Sequence, residues 1–429
     1  MLRASWMKVL LVNCALIVLL LVALEVVLTV FRPIGTYYIE SEAPGWRWKD
    51  SPYRTAILME GIRGGNFWEP NETNQLGLRG QDIIYDNDTR VVLLVGDSQI
   101  EAPTSRREEM PERILEQALN KHAQKKFKVF SIAASGWSQD QQLLALQEYF
   151  TRFRADLVLL WHTPANDFWE NAFPDRSTTS ASQPAGHLKP VFGLAEAASD
   201  DVELFEFGRR SPLVNVMRRS NVGRGVLVFL SRVGLFRFDN DAALRQWLDK
   251  IPTGLGHSSV EEAQCPTQKV PVWKFVYDYD QYAGGAVTLE SDEAIEESRS
   301  HLTPFLETLS PRDKYAKQIT RALLKKIKRL AETNGAKLQV FAPEFKLGGK
   351  VHFSEARCVV HRGAFFRINP DLLAPITEWK DEVNFEKVPI EIAPYGMSSI
   401  TVDRRSDAHL NFFGNKLVME KIVDMVNSQ

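Results

Sequence analysis

An α/β fold built on a parallel sheet is the class this sequence predicts, and three observations predict it. An apolar, mostly β-branched run, Val91-Val92-Leu93-Leu94-Val95, ends in Gly96-Asp97-Ser98, as expected of a strand buried on both faces and closed by a tight turn. Two further apolar runs, Phe127 to Ala133 and Asp156 to Trp161, follow at intervals that leave room for helices. The resulting βαβαβ rhythm points to parallel strands joined by crossover helices.

The chain opens with a different kind of segment. Residues 9–31 form an apolar stretch of about 23 residues, long enough to cross a bilayer as a helix. Its core, Ala15 to Val30, holds one charge, Glu25. No small-x-small cleavage site is evident, so a retained signal anchor is expected. Arg3 and Lys8 precede the span, whereas Glu40 and Glu42 follow Arg32 beyond it. The positive-inside rule therefore places residues 1–8 in the cytoplasm and exports the bulk of the chain to the periplasmic or extracellular face. Glu25 is expected to meet a partner helix or to snorkel toward the outer interface.

Residues 32–88 read as a stalk followed by a surface segment, rich in Gly, Pro, Trp and Tyr and turn-prone around Asn74 to Gly80. The α/β pattern occupies 89–429. After the first strand a helix is predicted over about Glu108 to His122, with Ile114, Leu115 and Ala118 on one face. A second is predicted over Gln139 to Phe153, carrying Leu143, Leu144, Leu146 and Phe150. From about 170 to 310 the rhythm gives way to an insertion of loops and short helical patterns, such as Ser211 to Arg219 and Ala242 to Asp249. Tyr315, Ile319, Leu323, Ile327 and Leu330 then mark a helix from Pro311 to Asn334, stopped by Gly335. A strand, Lys337 to Pro343, follows, then a second irregular insert over about 344–389, and a closing helix from Phe412 to about Val426.

Composition narrows the function. Hydrophobic residues make up 44% and charged residues 25% of 429, with a net charge of −2, so no nucleic-acid partner is expected. Cys14 lies in the apolar span, and Cys265 and Cys358 lie in the bulk. None has metal-ligand spacing, so no metal is assigned.

Four separated pieces carry the chemistry: Gly96-Asp97-Ser98, Ser135-Gly136, Asn166-Asp167 and Asp407-Ala408-His409. Three follow predicted strands and the fourth precedes the last helix, so all can reach one sheet edge. Acyl transfer needs a nucleophile, a base, a group that orients the base and donors for the oxyanion. Ser98 supplies the hydroxyl, His409 the base and Asp407 the orienting carboxylate. The backbone N–H groups of Ser98 and Gly136 and the side-chain amide of Asn166 are the candidate oxyanion donors. Asp403 is a reserve for the acid. Trp137, His162 and Trp169 flank the same edge and are candidate pocket-lining residues; core packing is the other reading of each.

These blocks resemble the SGNH (GDSL-type) hydrolase superfamily over about Arg90 to Phe168 and Val402 to Val426. The surrounding Ser135-Gly136-Trp137-Ser138-Gln139 and Asp407-Ala408-His409-Leu410-Asn411 are similar to its large, membrane-anchored bacterial branch, which includes polysaccharide O-acetyltransferases and esterases. The Asp-x-His spacing departs from the usual Asp-x-x-His and resembles alginate-type O-acetyltransferases. In those relatives the pair precedes the serine, so the chain order here differs.

The resemblance implies a flavodoxin-like three-layer αβα sandwich, a Ser98-His409-Asp407 triad and no cofactor. It implies a serine esterase or O-acyltransferase acting on acyl, especially acetyl, esters of cell-envelope carbohydrate, with a membrane acyl-transfer protein as a further partner. Two alternatives remain. A non-catalytic carbohydrate-binding or assembly protein would use the same cleft, and a lipase-like esterase would prefer longer acyl chains under an apolar lid within 170–310.

Overall fold

The computed structural model describes residues 2–31, 38–41, 45–48, 55–60, 63–68, 73–102, 105–121, 123, 125–172, 191–194, 201–205, 213, 216–217, 220–232, 261, 306–307, 309–347, 350–351, 357–361, 364–368, 373–391, 410 and 412–429. Its centre is a sheet of five parallel strands: β1 (Arg90–Gly96), β2 (Phe127–Ala133), β3 (Leu157–Trp161), β4 (Lys337–Leu347) and β5 (Phe385–Glu391). β1 pairs with β2 on one side and β3 on the other, and β4 lies between β3 and β5, giving the order 2-1-3-4-5. Lys350–Val351 adds a short antiparallel turn-back at the end of β4.

Both faces of the sheet are apolar because β1 is buried on both sides. Val91, Leu93 and Val95 join one cluster with Leu143 and Leu146 of α4 (Gln139–Phe150) and Ile319, Leu323 and Ile327 of α7 (Pro311–Thr333). Val92 and Leu94 join a second with Ile114, Leu115 and Leu119 of α3 (Pro111–Asn120) and Val418 and Met419 of α8 (Phe412–Lys421). Each of these enclosed Val and Leu side chains contributes about 1.5–3 kcal/mol by leaving water. Helices thus cover the sheet on two sides, as the strand pattern predicts.

The long helix α7 follows its sequence closely. Ser310 caps it: its hydroxyl accepts from the Asp313 N–H at 3.0 Å while the Asp313 carboxylate accepts from the Ser310 N–H at 3.3 Å. Pro311 fits the first helical position, where no N–H is needed. The expected Ile319, Leu323 and Ile327 stripe is buried against the sheet.

Several expectations are corrected. The first strand stops at Gly96, and Ser98 begins a four-residue helix, α2 (Ser98–Glu101). The segment before β1 is not confined to the surface, since Leu76, Leu78 and Ile83 are buried in the first core cluster. The irregular insert over 344–389 contains an antiparallel hairpin, Arg357–His361 with Ala364–Ile368, and the whole fifth strand apart from its last two residues. Of the 170–310 insertion, a hairpin of Val191–Leu194 with Val202–Phe205 is described, as is α6 (Asn221–Arg232). The expected helical pattern at Ala242 to Asp249 and Cys265 lie outside the described residues.

One helix, α1 (Leu2–Phe31), contains a 23-residue stretch, Lys8–Val30, long and apolar enough to cross a membrane. Its side chains from Lys8 to Val30 are almost all exposed.

Candidate functional site at the carboxyl edge of the sheet

Strand register brings the motifs together. Gly96 of β1 is level with Ala133 of β2, and Val95 is level with Leu160 of β3. The three chains therefore leave the sheet side by side, carrying Asp97-Ser98, Ser135-Gly136 and His162 onward to the same edge. The strand order reverses between β1 and β3, and in open sheets that crevice is where ligands collect.

The β1 turn is tightly specified. A Cβ on Gly96 would lie 2.6 Å from Ile100 Cγ1 and 3.6 Å from Trp161 Cβ. Only a residue without a side chain lets α2 turn back so closely over the strand end. Asp97 caps α2, its Oδ1 accepting from the Gln99 N–H at 2.9 Å. That places Ser98, 7% exposed, at the first helical position, with its N–H not committed to an intrahelical bond.

Two buried ionic side chains clamp this turn. The Arg79 guanidinium donates to the Glu101 carbonyl at 2.8 Å, to the Ala102 carbonyl and to the Ser105 carbonyl at 2.5 Å. It holds the exit from α2, where Ala102 takes a left-handed φ of 44°. Glu101, fully buried, accepts from the Ser135 N–H at 2.6 Å and also from the Ser135 hydroxyl. The Ser135-Gly136 turn is thereby tied to the helix that carries Ser98. Trp137 N–H bonds the Ala134 carbonyl at 3.0 Å, and Gly136 has φ 76°, as the third position of a type II turn demands.

Past β3 the chain enters α5 (Pro164–Ala172), whose first turn contains Asn166. Asp167 organises this turn: its Oδ2 accepts from the Thr163 N–H at 2.8 Å and from Gln139 Nε2 at 2.7 Å. Asn171 extends the network, donating to Gln139 Oε1 at 2.6 Å and to the Thr320 hydroxyl at 2.9 Å. These groups are buried, so the network fixes how α4 and α5 start relative to one another. The N-termini of α4 and α5 both open at the carboxyl edge, where their dipoles favour negative charge.

His162 is fully buried, with Nδ1 2.8 Å from Asp167 Oδ2 but off the line of a ring N–H hydrogen bond. Its ring meets Phe168 edge-on at 5.1 Å. Trp137 is likewise enclosed, within the core cluster of α4. The side chains of Asn166 and Trp169 and all of Asp403, Asp407 and His409 lie outside the described residues.

The residue after His409 is described, however. Leu410 is buried, and its N–H donates to Gln99 Oε1 at 3.3 Å. Gln99 is the neighbour of Ser98, so the chain at Leu410 lies against α2. No family model and no curated protein matches this chain. Among the described residues no group of three or more His, Cys, Asp and Glu is placed to hold a metal ion.

Glu101, Arg79, Gln139 and Asn171 are the site residues that sequence reasoning passed over. Gln139 is the polar first residue of the predicted Gln139 to Phe153 helix. Glu101 carries no motif beyond standing three residues after Ser98, and Arg79 stands inside the turn-prone Asn74 to Gly80 run with nothing to mark its charge.

Proposed function

We propose that this chain is a membrane-anchored serine esterase or O-acyltransferase with Ser98 as its nucleophile. The observation that carries the reading is the bond from Leu410 N–H to Gln99, which ties the neighbour of His409 to the neighbour of Ser98. His409 directly precedes Leu410 in the chain, and on this reading its ring reaches the Ser98 hydroxyl.

In this mechanism the Ser98 hydroxyl adds to the ester carbonyl as His409 takes its proton, with Asp407 holding the ring and stabilising the imidazolium. The oxyanion is met by the N–H groups of Ser98 and Gly136 and the amide of Asn166. Each such donor lowers the barrier by roughly 3–4 kcal/mol in comparable sites. Collapse expels the alcohol, protonated by His409, and leaves an acyl group on Ser98. Water or a sugar hydroxyl then accepts that group, giving hydrolysis or transfer.

The SGNH fold, an acetylated cell-envelope carbohydrate as substrate and export of residues beyond the span complete the proposal. The sheet order 2-1-3-4-5 supports the first. The anchoring is supported by Glu25, whose carboxylate accepts from the N–H groups of Asn221 and Val222 at 2.7 and 2.8 Å. On this reading the segment stays attached as an anchor, with Glu25 holding the start of a later helix.

The test is labelling of the full-length protein by a fluorophosphonate, together with release of acetate from acetylated glycans and model esters. The proposal expects labelling and turnover in the wild type and neither in Ser98→Ala. Glycan binding that survives Ser98→Ala, with no turnover by the wild type, would replace it with the non-catalytic alternative.

A further inference from the structure

The contact between Glu25 and α6 has a second consequence. Asn221 starts α6 and is held twice, its side-chain amide donating to Glu25 Oε1 at 3.0 Å and to the Thr29 hydroxyl at 2.8 Å. Glu25 lies five residues before Val30, the end of the apolar span, which is about 7.5 Å at ~1.5 Å per helical residue. The start of α6 is thus fixed beside α1, about 7.5 Å inside the end of the apolar span. Gly223 permits the approach to the preceding turn, since a Cβ there would lie 2.0 Å from the Met217 carbonyl oxygen.

From there α6 and the residues before it expose apolar side chains. Phe229 is 61% exposed, Leu213 67% and Val216 63%, with Val226 also exposed. Val226 and Phe229 are three apart and share a helix face, while Asn221 and Leu227 are buried. The flanking sequence is basic. Between Phe207 and Phe238 stand Arg209, Arg210, Arg218, Arg219, Arg224, Arg232 and Arg237, with no Asp or Glu. In sequence, then, a chain of net charge −2 places seven arginines and no carboxylate in the stretch that contains α6.

We infer that α6 and its flanking arginines form a second membrane element, a helix lying in the bilayer interface against α1 and bound to anionic lipid headgroups. Interfacial helices combine these features: an apolar face sunk about 5–10 Å, arginine for the headgroups, and modest overall hydrophobicity. Juxtamembrane cations add attraction to anionic lipid that salt screens. Such an element would hold the sheet domain at the membrane surface in a fixed orientation, which a single spanning helix with a stalk does not. The inference rests on the anchoring part of the proposed function and is independent of its chemistry.

The test uses the full-length protein reconstituted in phosphatidylcholine vesicles with and without phosphatidylglycerol. An environment-sensitive fluorophore is attached either at native Cys14, with Cys265→Ser and Cys358→Ser, or at Phe229→Cys with all three native cysteines replaced. Quenching is compared between lipids bearing a nitroxide near the headgroup and lipids bearing it near the chain end. The probe at 229 should be quenched more by the shallow nitroxide, and more strongly with phosphatidylglycerol present, whereas the probe at Cys14 should prefer the deep one.

A Cys14 probe quenched as expected beside a probe at 229 that stays in water would overturn the inference and leave the anchor standing. An unquenched Cys14 probe would remove the anchor itself. Hydrogen exchange on the unmodified protein guards against a misfolded variant. Amides of Asn221–Arg232 should exchange more slowly in vesicles containing phosphatidylglycerol, and equal rates would overturn the role of anionic lipid.

Discussion

Glu101 and Ser135 meet at a single carboxylate oxygen, which accepts both the backbone N–H and the hydroxyl of the serine in the protein interior. This contact joins the helix bearing Ser98 to the turn bearing Gly136, so it sets the spacing between the proposed nucleophile and an oxyanion donor. Glu101→Ala removes the acceptor of a part-buried N–H and hydroxyl, which costs about 1 kcal/mol of stability. It also frees the Gly136 turn. The expected outcome is a fall in kcat of roughly tenfold or more with a smaller change in KM. Glu101→Gln keeps one acceptor oxygen and should recover part of kcat; equal effects on kcat and stability in both variants would reduce Glu101 to a folding role.

Gln99 offers a second positioning test. Its side-chain oxygen is the described tie between α2 and the segment leading from His409. Gln99→Met keeps the volume but removes the acceptor, at a cost of about 1 kcal/mol. If the tie positions the base, the variant should react with fluorophosphonate more slowly than wild type while its thermal midpoint shifts little. Unchanged labelling would break the link between Leu410 and the proposed triad.

Much of this arrangement was legible in the sequence, for a physical reason. A strand buried on both faces reads as a nearly continuous apolar run, so Arg90–Gly96 was nearly placed, and Phe127–Ala133, apolar but for Lys128 and Ser131, was placed to the residue. The fifth strand was hidden because Phe385–Glu391, which pairs with β4, has only three apolar residues besides Pro389, interrupted by Glu386, Lys387 and that proline. Proline is tolerated in a strand only at such an edge. The polar start of α4 misleads in the opposite sense. Gln139 to Gln142 are all fully buried, satisfied in part by Asp167 and Asn171, partners that no local pattern reveals. Glu101 was invisible for the same reason, since its role depends on a turn 34 residues away.

Gly96→Ala tests how tightly the nucleophile turn is packed. The added methyl would sit 2.6 Å from Ile100 Cγ1 and 3.3 Å from Ile100 Cβ, and Ile100 is fully buried. Overpacking of this kind costs about 1–3 kcal/mol. Because the strain pushes α2 away from β1, ester turnover should fall further than stability does. Ile100→Ala alone opens a cavity, yet combined with Gly96→Ala it should be less destabilising than the sum of the two single changes. Chemical denaturation of all four proteins gives the coupling, and strict additivity would show that the two side chains do not compete.

An ion pair away from the site gives a pH dependence of one sign. The Arg321 guanidinium holds Glu382 in a two-nitrogen contact at 2.6–3.0 Å, and Lys325 lies 3.4 Å away. These hydrogen bonds and charges hold the carboxyl below its ordinary value of 4.5. A depressed carboxylate stabilises the fold above its unfolded value and loses that contribution as pH falls through the folded one. The pair is about one-third exposed, so its worth is limited to ~0.2–1 kcal/mol. Arg321→Gln should therefore lower stability slightly at neutral pH and not at pH well below 4.5, with the difference shrinking in high salt.

Glu112 supplies the opposite sign from inside the fold. It is fully buried, accepting from the Gln81 N–H and the Ser131 N–H at 2.7 Å each, and so ties the segment before β1 to β2. Burial raises its carboxyl above 4.5, outweighing the two backbone donors and the Arg113 charge, which pull it down. A raised carboxylate binds its proton more tightly when folded than when unfolded. Its contribution to stability is complete below about pH 4.5 and declines as pH rises through the folded value. Glu112→Gln cannot ionise, and its amide nitrogen faces one of the two N–H donors, so the variant is less stable at every pH. The gap between wild type and variant, measured by denaturant unfolding from pH 4 upward, should narrow as Glu112 in the folded protein is forced to ionise. A gap that widens with pH would mean that the two N–H groups outweigh burial and that Glu112 holds its charge in the fold.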